Sequence, residues 1–121
     1  MRRAVFLSHS SELPLRLRWL AILSGRVKAS LAVSGGVHTV VDVIQSIMTG
    51  AHAVQLVSAL LQRGPGYIAN LRQDLTKWLE EHEYHSLQQM QGSMNLESCP
   101  DPRVYERANY MLMLQGWRAG D

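Results

Sequence analysis

The chain has one cysteine, Cys99, which excludes an internal disulfide framework and any zinc site built on several thiolates. It has one phenylalanine and only 7% aromatic residues. Twelve Lys and Arg against ten Asp and Glu leave a formal charge of +2, too little to argue for nucleic acid by itself. No apolar run reaches the ~18–20 residues that a membrane span requires. After Met1-Arg2-Arg3 only Ala4-Val5-Phe6-Leu7 is apolar before Ser8, too short for the core of a secretory signal. The expectation is a soluble, cytoplasmic protein without a membrane span or a nucleic-acid partner.

What is present is a chain of 121 residues, 46% hydrophobic and 18% charged, enough for one small domain with a core. Residues 1–28 concentrate Arg2, Arg3, Arg16, Arg18, Arg26 and Lys28 against a single acid, Glu12. These bases alternate with Leu13, Leu15, Leu17, Trp19 and Leu20, which reads as the solvated face of a helix over 12–23. Pro14 suits its first turn and Gly25 its end.

Residues 29–33 form a short apolar run that ends at Ser34-Gly35-Gly36. Val40, Val43, Ile44 and Ile47 then repeat at helical spacing, with Thr39 or His38 at the cap and Gly50 at the stop. A second apolar run, 52–57, follows at once, then a helical turn over 59–62. Strand, helix and strand within about thirty residues make one βαβ unit, whose strands must be parallel. A longer helix follows Gly64-Pro65-Gly66, with Ile68, Leu71, Leu75, Trp78 and Leu79 on its inner face. A short helical piece is expected around 86–91 and a last helix over 103–115. Unbroken apolar strands belong to sheets covered on both faces, and two strands alone leave two open edges. The sheet is therefore expected to be completed, either by more of the same protein or by self-association.

Ser34-Gly35-Gly36 stands where a strand gives way to a helix. Glycines there admit close approach to a ligand, and the exposed N–H groups favour a phosphate, although a plain turn has the same requirement. Val57-Ser58 ends the second strand in the same way, so two adjacent strand ends would converge on one anion. In (β/α)8 barrels a phosphate often sits between the loops after strands seven and eight, near a short extra helix.

Ser34-Gly35-Gly36-Val37-His38-Thr39, Asp42-Val43-Ile44 and the segment from Gly50-Ala51 through Gln55 to Ser58-Ala59-Leu60 resemble the end of the dihydroorotate dehydrogenase barrel. The resemblance runs from about Leu7 to Trp117 and includes Asn109-Tyr110. It implies an α/β fold: strands seven and eight of a (β/α)8 TIM-type barrel with flanking helices over 1–81, and a helical C-terminal tail over 82–121. It further implies an FMN-dependent oxidation of dihydroorotate to orotate, in pyrimidine synthesis. Gly35 and Gly36 match the family's first phosphate turn, Ser34 the residue before it, and Val57 and Ser58 the second turn. Gln55 matches a recurrent strand residue with a structural role. The family's catalytic base, flavin-contacting lysines and substrate asparagines lie on earlier strands that this sequence does not contain. Cys99 lies after the second strand and cannot stand in for that base. The expectation is a piece of a longer flavoenzyme, with no catalytic residue of its own, inactive alone, binding FMN and, in the intact protein, a dihydroorotate-like molecule. The alternative is a small self-associating binding module, and nucleic-acid binding by residues 2–28 ranks last.

His82 and His85 are three apart and lack the i, i+4 spacing of a zinc-protease helix, so a surface pair is expected and no metal site. His38 and His52 are expected to flank the phosphate site. The methionines and Trp19, Trp78 and Trp117 are expected to pack rather than bind a cofactor.

Overall fold

The structure is a computed structural model and describes residues 6–98. The expected helix over 103–115, Cys99 and Trp117 lie outside the described residues. A single 3-10 turn, Ser10–Glu12, leads into α1 (Leu13–Leu23), followed by β1 (Ala32–Ser34), α2 (Val40–Thr49), β2 (Ala53–Gln55), α3 (Ser58–Arg63), α4 (Tyr67–Glu81) and α5 (Leu87–Met90).

The two strands pair in parallel, Ala32 with Ala53, Val33 with Val54 and Ser34 with Gln55, so β1, α2 and β2 form the anticipated βαβ unit. Both strands are shorter than their apolar runs. His52 explains one boundary, because its Nδ1 takes the Leu31 N–H at 3.0 Å while its own N–H binds the Leu31 carbonyl at 2.7 Å.

Helix α2 starts where its side chains close its first turn. Thr39 Oγ1 accepts the Asp42 N–H at 3.3 Å and Asp42 Oδ2 accepts the Thr39 N–H at 3.0 Å, a reciprocal capping box. It stops at Gly50, whose φ of 126° favours glycine and where a methyl would overlap the Ser24 side chain. Between those ends Val43, Ile44 and Ile47 are buried together with Leu13 and Leu20 of α1 and Val33 of β1. Beyond α5 the chain returns to this layer. Met90 is fully enclosed, Met94 donates to the Met48 carbonyl at 2.8 Å and Leu96 to the Ala21 carbonyl at 2.9 Å.

Within the described residues the strands are covered on one face only: Val33 is buried, but Ala32, Ser34, Ala53 and Gln55, which point the other way, are exposed. The helices α1 and α2 pack on one side of the sheet, and the described residues leave its other side open. On α4 the inner face begins at Leu71 and continues through Leu75, Trp78 and Leu79, whereas Ile68 is exposed.

Trp78 stacks on His82 at 4.0 Å and on Tyr84 at 5.7 Å between ring centroids, and His82 Nδ1 bonds the Trp78 carbonyl at 2.9 Å. Trp19 is half-exposed along a groove beside β1 rather than buried. Among the described residues no helix is long and apolar enough to cross a membrane.

Candidate functional site

Parallel pairing brings the C-terminal ends of β1 and β2 side by side. Immediately beyond them lies a small cavity of about 230 Å³. Ser34, Gly35 and Gly36 line it from the first strand end, and Val57 and Ser58 from the second, so all five residues singled out in the sequence meet at one place. Phe6, Ser8, Val37, Gln55 and Leu56 complete the wall.

The glycine pair is shaped by its surroundings. Gly35 and Gly36 have φ of 86° and 83°, a region that L-residues avoid. A methyl on Gly36 would lie 2.7 Å from the Leu13 backbone nitrogen and 3.1 Å from its Cα. The turn is thus pressed against the start of α1, and its peptide groups are held rather than free to swing. Side chains are excluded from the turn, which leaves backbone as the surface a ligand would meet.

Ser58 is fixed across the cavity by a segment far away in the chain. Its Oγ accepts both the backbone N–H and the hydroxyl of Ser8, each at 3.0 Å and 50 residues away in sequence. A serine hydroxyl has two acceptor lone pairs and one donor. With both lone pairs engaged by Ser8, the Ser58 proton is the remaining polar capacity of that side chain.

Ser8 is itself held from behind, because the ring nitrogen Nε2 of buried His38 bonds its carbonyl at 2.9 Å. Tyr67, at the start of α4, donates its hydroxyl to the His38 carbonyl at 2.7 Å. This chain of contacts ties the cavity to α4. Sequence reasoning missed Ser8, since nothing local marks a contact that spans half of the chain.

The two histidines expected beside the site separate. His38 sits behind Ser8, with its N–H on Asp42 Oδ2 at 2.9 Å, while Thr39 provides the cap. His52 lies at the opposite end of the sheet, because it precedes β2 and the cavity follows it. There it lines a different, polar cavity with Ser24, Lys28, Ser30, Gln91 and Asn95.

The helix dipole of α2 is also less available than the strand-to-helix pattern suggested. Asp42 takes the N–H groups of His38 and Thr39 and places a carboxylate at that terminus. The donor-bearing residues that line the cavity include the glycine turn, Ser34, Gln55 and Ser58.

No family model matches the chain. Curated relatives do. It is 28% identical over 79 residues to the NAD-dependent dihydroorotate dehydrogenase B catalytic subunit of Thermoplasma acidophilum, covering 65% of this chain and 26% of that protein. It is 34% identical over 61 residues to the quinone-dependent dihydroorotate dehydrogenase of Trichodesmium erythraeum, covering 50% and 16%. With the quinone-dependent enzyme of Erythrobacter litoralis it shares 36% over 59 residues, covering 49% and 17%. The chain is therefore similar to dihydroorotate dehydrogenases of both the NAD-dependent and the quinone-dependent kind, and it spans between 16% and 26% of their length.

Proposed function

We propose that this chain is the phosphate-holding segment of a dihydroorotate dehydrogenase-like flavoenzyme, and that the cavity at the strand ends receives the phosphate of FMN. The observation that carries the reading is the meeting of both turns, Ser34-Gly35-Gly36 and Val57-Ser58, on one cavity beside two parallel strand ends. Ligands of α/β sheets bind beyond the carboxyl ends of the strands.

The fit is one of scale and of chemistry. Whole-ligand pockets run to ~300–1,000 Å³, so a cavity of about 230 Å³ suits the phosphate end of a cofactor rather than all of it. Its wall combines a side-chain-free glycine turn with a serine hydroxyl whose acceptor positions are already used. The exposed face of the sheet, Ala32, Ser34, Ala53 and Gln55, is the face that would look into a closed barrel. Residues 82–98 would then belong to the tail that packs on the outer helices. When bound, FMN supplies the redox chemistry. The residues of this chain bind and orient it, and the substrate, a dihydroorotate-like molecule in pyrimidine synthesis, would be held elsewhere in the intact protein.

The test is titration of the chain with FMN and with riboflavin, followed by flavin fluorescence and by amide shifts, for the wild type and for Ser34→Asp. Ser34 is exposed, so the change places a negative charge in the cavity wall without disturbing the core. Saturable FMN binding that shifts the Gly35, Gly36 and Ser58 amides and is lost in Ser34→Asp is expected. Shifts elsewhere, or FMN and riboflavin bound equally, would overturn the assignment.

A second reading, self-association, has one observation in its favour. An apolar groove of about 540 Å³ lies open along β1, between Leu15, Trp19, Leu23, Leu31 and Val33. In the barrel reading the neighbouring strand fills it. Light scattering of the purified chain separates the two, since a defined dimer that dissociates on Trp19→Glu would favour self-association.

A further inference from the structure

Among the described residues, the ten that line the cavity carry no formal charge. A phosphomonoester brings roughly −1.5 to −2 at neutral pH. The nearest long helix, α2, cannot offset it with its N-terminus, because Asp42 already occupies that terminus with a carboxylate. Among the described residues, a compensating charge would stand behind that wall.

One residue is placed there. Arg16 lies in the first turn of α1 and is half-buried. Its Nη1 donates to the Glu12 carbonyl at 2.8 Å, which fixes the guanidinium on its own helix turn. A methyl built on Gly35 would meet Nη2 at 2.9 Å and Nε and Cζ at 3.0 Å. The guanidinium is therefore laid against the bare Cα of Gly35, a space that exists because residue 35 has no side chain. Gly35 consequently serves two ends, a left-handed turn and a seat for a cation.

We propose that Arg16 is the cation of this site, selecting a ligand that bears a phosphomonoester over the same ligand without it. The inference rests on the phosphate reading of the cavity and extends it to a residue outside the cavity wall. A cation behind the wall acts on the phosphate through space, and its partial exposure screens that attraction. The expected effect of Arg16→Gln is a loss of about five- to tenfold in FMN affinity with riboflavin affinity unchanged.

The experiment compares FMN and riboflavin titrations of the full chain for the wild type, Arg16→Gln and Arg16→Lys, with thermal unfolding of each. Arg16→Lys keeps the charge and should restore most of the preference for FMN. The wild type itself provides a measurement that needs no variant: raising salt from ~50 to ~500 mM should erode the FMN preference and leave riboflavin unaffected. A wild type that prefers FMN, with Arg16→Gln retaining the preference, would overturn the role of Arg16 and leave the cavity reading intact. Insensitivity of the preference to salt would do the same. A wild type that binds neither flavin, or both alike, would overturn the cavity reading and this inference together.

Discussion

Gly36 is where the turn, the start of α1 and the proposed site are pressed together, so its replacement by alanine has a cost that can be worked out. Its φ of 83° lies in the left-handed region, which costs an L-residue about 1–2 kcal/mol. In addition, the new methyl would sit 2.7 Å from the Leu13 backbone nitrogen. Leu13 is only 2% exposed and its nitrogen belongs to the backbone at the start of a helix, so it cannot rotate away. Overpacking against such a neighbour adds about 1–3 kcal/mol. Gly36→Ala should therefore lose about 2–5 kcal/mol in total.

Gly92 supplies the control. Its φ of 71° imposes a similar backbone penalty, but its methyl would meet the Asn95 side-chain amide at 3.3 Å, which can shift, and Ser24 Oγ at 3.9 Å, an ordinary contact. Gly92→Ala should lose only about 1–2 kcal/mol. Urea unfolding followed by circular dichroism measures both, with the midpoint moving and the slope unchanged. Equal destabilisation of the two variants would refute the argument that the Leu13 backbone constrains residue 36.

Two further outcomes follow from the same packing. Thr39→Ala removes the side chain that caps α2 and should lower stability by about 1 kcal/mol in thermal unfolding, whereas Thr49→Ala, at the other end of the helix, should have little effect. Ile44→Ala opens a cavity in the shared core of α1, α2 and β1 and should cost about 2–5 kcal/mol by urea unfolding, while Val41→Ala, on the exposed face, should stay within ~0.5 kcal/mol.

The order of elements was legible because each is marked by local chemistry. Pro14, Thr39 and Gly50 punctuate helices through backbone effects that act within a turn, and the spacing of Val43, Ile44 and Ile47 follows the helical repeat. The Gly35-Gly36 turn was visible for the same reason, since only glycine holds two successive left-handed positions without strain. Exposure of Ile68 was not legible, because periodicity marks the apolar face of α4 but not how far along the helix neighbouring elements cover it. Nor was the separation of His38 from His52. Both are close to a glycine in sequence, but parallel strands send the residue after β1 and the residue before β2 to opposite ends of the sheet.

The amino-acid sequence by itself thus determined the βαβ unit, its caps and its two glycine- and serine-bearing turns, since propensity, capping and periodicity act over a few residues. Only the tertiary structure decided what those turns face. The hold of Ser8 on Ser58 joins positions 50 residues apart, and Arg16 reaches Gly35 because the start of α1 lies against the turn that follows β1. Such contacts depend on how elements pack in three dimensions, and nothing in the local pattern of either partner encodes them.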